Sequence, residues 1–65
     1  MIFRVNDFED WCSCVDLATD DYENEISVYV DRAWDDEKEQ YNDEMVRQLV
    51  EEEVSASFPG AIVKW

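Results

Sequence analysis

Three short segments of the chain have the hydrophobic and polar pattern of β-strands. MIFRV opens the sequence as an apolar run of strand-forming residues, and AIVKW closes it with alternating apolar positions. Between them, EISVYV alternates strictly, with Ile26, Val28 and Val30 on one face. A two-residue period is typical of a strand that buries one face. The sequence therefore predicts three strands.

Two longer segments have apolar residues at three- and four-residue steps, which predicts helices. The first begins after Asn6, which forms a capping-box pattern with Glu9. Its apolar stripe consists of Phe8, Trp11, Cys12, Val15 and Ala18. The second helix is predicted from Asp35 or Asp36 to about Ser57, before an FPG sequence whose proline cannot continue it. Its apolar stripe consists of Tyr41, Met45, Val46, Leu49 and Val50.

The predicted order of elements is β-α-β-α-β within a single domain. Residues 19–25 have no periodicity and contain several turn formers, which indicates a loop between the first helix and the second strand. Sequential strands tend to be neighbours, and a right-handed crossover allows strands joined through a helix to run parallel. We therefore expect an α+β fold in which two helices pack on one face of a three-stranded sheet.

The charge of the chain is strongly negative. Asp and Glu number 18 against five Lys and Arg, which gives a formal net charge of −13 in 65 residues. Such an imbalance opposes compaction by self-repulsion and favours basic partners. The chain is nonetheless 46% hydrophobic and 14% aromatic, unlike a disordered acidic tail. We therefore expect a folded domain with an anionic surface.

On the second predicted helix, Glu37, Glu44 and Glu51 recur at seven-residue steps, about 10 Å apart. A solvated helix surface is the simpler explanation of this line of carboxylates. However, like charges at helical spacing destabilise a helix by roughly 0.2–0.5 kcal/mol per pair, and solubility alone does not require that cost. A functional anionic surface is therefore the preferred interpretation. The residues predicted to bind a partner are Asp20, Asp21, Glu23, Glu25, Asp35, Asp36, Glu37, Asp43, Glu44, Glu51 and Glu52.

Residues suited to catalysis or metal binding are scarce. The chain has no His, and no Ser or Cys stands beside an evident base, so nucleophilic catalysis lacks its components. Cys12 and Cys14 have no second pair with which to close a zinc site, and we expect structural roles for both. A calcium loop counted from Asp20 requires Gly at its sixth position, where the chain has Glu25. We expect neither an enzyme nor a bound metal or cofactor.

The sequence contains no pattern of a membrane span or of a signal peptide. No apolar run approaches the roughly 18 residues that a span requires, and the opening residues lack an apolar signal region. We therefore expect a cytoplasmic protein with reduced thiols, acting as a monomer in preference to a homodimer. Direct binding to nucleic acid is disfavoured by the sign of the charge.

The spacing of the carboxylates suggests an imitation of DNA. Duplex DNA presents one negative charge per roughly 1.7 Å of its axis, and a helix of some 23 residues is about 34 Å long, close to one duplex turn. In size, charge and lack of catalytic residues, the chain resembles the tiny acidic α+β proteins of phages and mobile elements, including type I anti-CRISPR proteins. The acidic segments that carry this resemblance are DWCSCVDLATDDYENE and WDDEKEQYNDE.

The resemblance implies inhibition of a bacterial defence complex during phage infection. The acidic surface is expected to occupy the basic site with which a type I CRISPR effector binds DNA and reads the PAM. Inhibitors of uracil-DNA glycosylase and of restriction enzymes use similar mimicry. A neutraliser of a basic toxin is a further alternative, because its sequence would have much the same composition.

Overall fold

The protein folds as one α-helix, a four-stranded mixed sheet and a two-stranded hairpin, in a computed structural model that describes all 65 residues. In chain order the elements are β1 (Ile2–Glu9), β2 (Cys14–Thr19), β3 (Glu25–Tyr29), a 3₁₀ turn (Asp31–Ala33), β4 (Trp34–Asp35), β5 (Gln40–Tyr41), α1 (Asp43–Ser57) and β6 (Ile62–Lys64). The α+β class is confirmed. The prediction of three strands covered by two helices is wrong.

The strands of the main sheet are ordered β3-β2-β1-β6. β2 runs antiparallel to both of its neighbours, whereas β6 runs parallel to β1. The three strands predicted from the sequence correspond to β1, β3 and β6, although β1 extends beyond the predicted MIFRV to Glu9. The prediction also lacks β2 and the small β4–β5 hairpin. The long connection from β3 to β6 contains that hairpin and α1.

The first predicted helix is wrong, because residues 6–18 complete β1, form a turn and then form β2. Asn6 does not cap a helix but lies at a bulge in β1, where an extra residue enters the strand. β2 lies between two strands, and residues on both of its faces, such as Leu17 and Ala18, are buried. A strand buried on both faces loses its clear two-residue period, so its apolar residues also fit a helical template.

The second predicted helix begins later than expected, at Asp43 instead of Asp35 or Asp36, and ends at Ser57 as predicted. Its N-cap is Asn42, whose side-chain oxygen accepts a hydrogen bond at 3.1 Å from the backbone N–H three residues further on. No helix has both the length and the apolar character that crossing a membrane requires.

A hairpin replaces the first turns of the predicted second helix. Asp35 Oδ1 accepts hydrogen bonds from the N–H of Glu37 at 3.0 Å and from the N–H of Lys38 at 3.2 Å. Such bonds from an Asp side chain compete with helix formation. The segment DDEKEQ also offers no apolar residue that a helix could bury. The local bonds of Asp35 therefore favour the hairpin.

The hydrophobic core lies between α1 and one face of the sheet. Its buried members are Phe3, Val15, Leu17, Val28, Val30, Ala33, Val50 and Val54. The prediction that Val28 and Val30 share a buried face with Ile26, which packs against this core, is confirmed. Val46 of the predicted helical stripe also packs there, whereas Met45 is exposed. The opposite face of the sheet has no helix on it.

Candidate acidic interface

The carboxylates predicted to bind a partner lie in three separate parts of the fold and do not form one stripe. Asp20, Asp21, Glu23 and Glu25 lie in or beside the β2–β3 turn, Asp35, Asp36 and Glu37 lie in or beside the β4–β5 hairpin, and Asp43, Glu44, Glu51 and Glu52 lie on α1. None of them is buried. All eleven are thus accessible to a partner, but from different directions.

The predicted line of carboxylates on one long helix is only partly present. Glu37 lies outside α1, so only Glu44 and Glu51 keep the seven-residue spacing on a helix. With 15 residues, α1 is about 22 Å long, and the match to a full duplex turn does not hold. Glu51 accepts a hydrogen bond from the Trp65 indole N–H at 3.4 Å, whereas Glu52 lines a groove against β3. These two neighbours therefore lie on different flanks of α1.

The uncovered face of the sheet carries carboxylates that the sequence pattern did not identify. The register places Asp7 of β1 opposite Asp16 of β2. Glu9 and Glu25 lie on the same face, because paired residues share a face and side chains alternate along each strand. We call these four residues, Asp7, Glu9, Asp16 and Glu25, the acidic sheet face. None of them has a basic group within 4.0 Å, although Arg4 and Lys64 lie on the same face of the sheet.

The opposed pair Asp7 and Asp16 is unfavourable for folding. Asp is depleted in strands, and like charges directly opposite each other destabilise a strand pair. Ser27 of β3 donates its hydroxyl to Asp16 Oδ1 at 2.6 Å, which orients that carboxylate without neutralising it. The fold therefore retains a local conflict, and such conflicts are expected at functional surfaces.

The β2–β3 turn adds further negative charge at one end of the sheet. The Thr19 hydroxyl donates to Asp21 Oδ1 at 2.6 Å, and the N–H of Glu23 donates to the same oxygen at 3.1 Å. These two hydrogen bonds lower the pKa of Asp21 below its ordinary value of 3.8. Asp20 forms the one ion pair of the protein, with Arg4 Nε at 2.5 Å. The turn thus has a fixed shape, and Asp21 is ionised at neutral pH.

Basic residues lie on and beside the neighbouring strands β1 and β6. Arg4 and Lys64 are paired neighbours on β1 and β6. Arg47 of α1 lies over the ring of Trp65, with its guanidinium carbon 5.4 Å from the ring centroid. Three of the five basic side chains therefore lie on this side of the molecule. The acidic sheet face extends towards the opposite edge, formed by β3, so the two edges differ in charge.

The two thiols are poorly suited to nucleophilic chemistry. Cys12 lies half-buried in the β1–β2 turn, where its Sγ donates to Glu9 Oε2 at 3.5 Å. Partial burial, together with this hydrogen bond, raises the pKa of Cys12 from 9.0 to about 11, and burial also raises the pKa of Cys14. Both thiols are therefore protonated at neutral pH. No group of three or more His, Cys, Asp or Glu side chains is arranged to hold a metal ion.

The acidic sheet face is largely missing from the predicted interface because of the wrong helix. A helical interpretation of residues 7–18 places Asp7, Glu9 and Asp16 on a helix surface, remote from Glu25. The signal for the strand is the short alternation in CVDLAT, where Val15 and Leu17 flank an outward-pointing Asp16. The pairing of Asp16 with Asp7 has no such signal, because register depends on the bulge in β1.

Known proteins do not provide a family for this chain: no protein-family model, no curated protein and no solved structure matches it. The resemblance to small acidic phage proteins therefore stays a prediction. The function must be inferred from the charges and contacts described above.

Proposed function

We propose that this chain inhibits a bacterial defence complex by occupying its basic DNA-binding site in place of DNA. The target is a type I CRISPR effector, and the inhibitor acts as a monomer in the host cytoplasm during phage infection. The observation that carries the proposal is the acidic sheet face, where Asp7 and Asp16 oppose each other without a basic group within 4.0 Å. This arrangement opposes folding, so a gain in binding is a reason for it to persist.

The density of negative charge supports mimicry of DNA. The molecule measures 38 × 19 × 16 Å, and 13 net negative charges along 38 Å correspond to about one charge per 3 Å. Duplex DNA has one charge per roughly 1.7 Å. The folded chain thus presents more than half the linear charge density of DNA. A groove lined by Lys and Arg attracts both molecules by the same long-range field.

The lack of internal neutralisation also supports a functional surface. Of the 18 carboxylates, only that of Asp20 has a basic partner within 4.0 Å. Surfaces that need only solubility intersperse both signs of charge, and a net charge of about 2–8 is sufficient for a small domain. The net charge of −13 exceeds that range. The unpaired carboxylates therefore remain available to the basic side chains of a partner.

The proposal is tested by affinity capture from bacterial lysates that contain type I CRISPR effectors. The protein is immobilised, duplex DNA with a PAM is used as the eluent, and released proteins are identified by mass spectrometry. We expect a multisubunit effector that DNA releases. Release of a uracil-DNA glycosylase or a restriction enzyme would retain mimicry but reject the CRISPR target. A partner that DNA cannot release would instead identify a neutraliser of a basic protein. Failure to capture any specific partner would reject the proposal.

A further inference from the structure

An open groove of about 560 Å³ lies where the β1–β2 turn meets the β4–β5 hairpin. Its lining residues are Asp10, Trp11, Ser13, Asp31, Trp34 and Tyr41. Three aromatic rings and two carboxylates therefore line one site. The side chain of Trp11 is 83% exposed and that of Trp34 is 45% exposed, so both indoles are accessible to a ligand.

The groove is preformed by contacts of Tyr41. The ring of Tyr41 packs edge-to-face against Phe8 and Trp34, with ring centroids 5.1 Å and 5.0 Å apart. Its hydroxyl donates to the backbone oxygen of Asp10 at 3.2 Å and also hydrogen-bonds the Ser13 hydroxyl. These bonds join the hairpin to the β1–β2 turn. A ligand would therefore meet an ordered floor and not a collapsed loop.

The exposure of Trp11 is unusual for a chain so short of core residues. Only eight residues form the buried core, yet this large side chain lies outside it, in the β1–β2 turn. Exposed Trp and Tyr side chains are typical anchors of protein interfaces. Glu9 of the acidic sheet face immediately precedes Asp10 in the chain. At Asp10 the groove therefore begins one residue beyond Glu9 in the chain.

We propose that this groove binds the side chain of an arginine from the basic partner. A planar guanidinium stacks on aromatic rings and donates hydrogen bonds to carboxylates through a rigid fork of N–H groups. Trp11 and Trp34 supply the rings, and Asp10 and Asp31, which form no ion pair within the protein, supply the acceptors. Lysine fits less well, because its compact ammonium is strongly hydrated and does not stack. The identity of the partner rests on the proposed function, but the chemistry of the groove does not.

The test uses the complete chain labelled with ¹⁵N and the probe N-acetyl-arginine methylamide. We expect saturable shifts of the indole N–H signals of Trp11 and Trp34, while the signal of Trp65, which lies outside the groove, stays in place as an internal control. The citrulline analogue has a similar shape but no charge, and it should bind at least about fivefold more weakly. Asp10→Asn combined with Asp31→Asn should weaken arginine binding by a similar factor.

One further variant and one further probe make the inference falsifiable. Trp11→Ala, at an exposed position, should leave the fold intact and weaken the response of Trp34 to arginine by at least about fivefold. The assignment would be overturned if arginine caused no saturable shift. It would also be overturned if the citrulline or lysine analogue caused responses as large as those to arginine. Because the titration needs no partner, its failure is distinguishable from a failure of mimicry. If the groove bound arginine but no DNA-binding partner were captured, only the assignment of the groove would be supported. If such a partner were captured but arginine did not bind, only the proposed DNA mimicry would be supported.

Discussion

Replacing Asp7 and Asp16 by Asn and Glu25 by Gln is expected to weaken binding to the proposed DNA-binding partner by at least about 100-fold, or roughly 2.7 kcal/mol. The three substitutions remove three charges from the acidic sheet face while nearly preserving side-chain shape. Close charge pairs at interfaces couple by about 1.5 kcal/mol or more each, so three lost contacts are sufficient for this effect. The dissociation constant is measured by calorimetry at one fixed salt concentration.

The same triple variant should be at least as stable as the wild type. Its amide groups relieve the repulsion between Asp7 and Asp16, by an amount on the order of the roughly 0.2–1 kcal/mol typical of cross-strand pairs. The amide oxygen of Asn at position 16 can still accept the hydrogen bond that Ser27 donates. Urea unfolding therefore separates a loss of binding from a loss of folding.

The matched control changes the same number of charges on α1. Replacing Glu44, Glu51 and Glu52 by Gln should weaken binding by no more than about tenfold, through the reduced long-range field. If the helix variant lost binding while the sheet variant kept it, the acidic sheet face would be the wrong surface. The helical carboxylates predicted from the sequence would then form the interface.

Phe3→Ala is expected to destabilise the fold by about 3–5 kcal/mol. The side chain of Phe3 is fully buried between the sheet and α1, with its ring centroid 4.9 Å from that of Phe58. A domain of this length has a total stability of about 3–10 kcal/mol, so this one substitution removes a large part of it. The free energy of unfolding is measured by urea titration followed by circular dichroism.

Ile62→Ala provides the matched control on the uncovered face of the sheet. Ile62 is 58% exposed, and its truncation should cost less than about 1 kcal/mol. Equal effects of Phe3→Ala and Ile62→Ala would contradict the assignment of buried and open faces. The acidic sheet face would then lose its basis, because its four carboxylates are defined by lying opposite the core.

The elements that the sequence predicts correctly are those with one buried face and a clear end. β3 shows this, because Val28 and Val30 alternate with exposed residues, and α1 ends at Ser57 as the following proline requires. β2 shows only a short alternation around Asp16, because Cys14 and Ala18 on one face are buried as well as Val15 and Leu17 on the other. Burial from both sides depends on tertiary neighbours, which the local sequence does not contain.

Local sequence patterns could not predict where α1 starts or which carboxylates form the interface, and the reasons are related. Asp35 can begin a helix or close a hairpin turn with the same side-chain hydrogen bonds, and the lack of apolar residues after it decides between them. The opposition of Asp7 and Asp16 depends on the bulge at Asn6, which sets the register of β1 against β2. The excess of acid was evident from the sequence, but its placement was not.

The most direct test of DNA mimicry is a competition measurement on the proposed target, a type I CRISPR effector. A labelled duplex with a PAM is bound to the effector, and the protein is titrated at several duplex concentrations. Mimicry predicts that the half-inhibitory concentration of the protein rises in proportion to the duplex concentration and that inhibition weakens steeply with added salt. A half-inhibitory concentration that does not change over a tenfold range of duplex would contradict mimicry, because the inhibitor would then act at a site that DNA does not occupy.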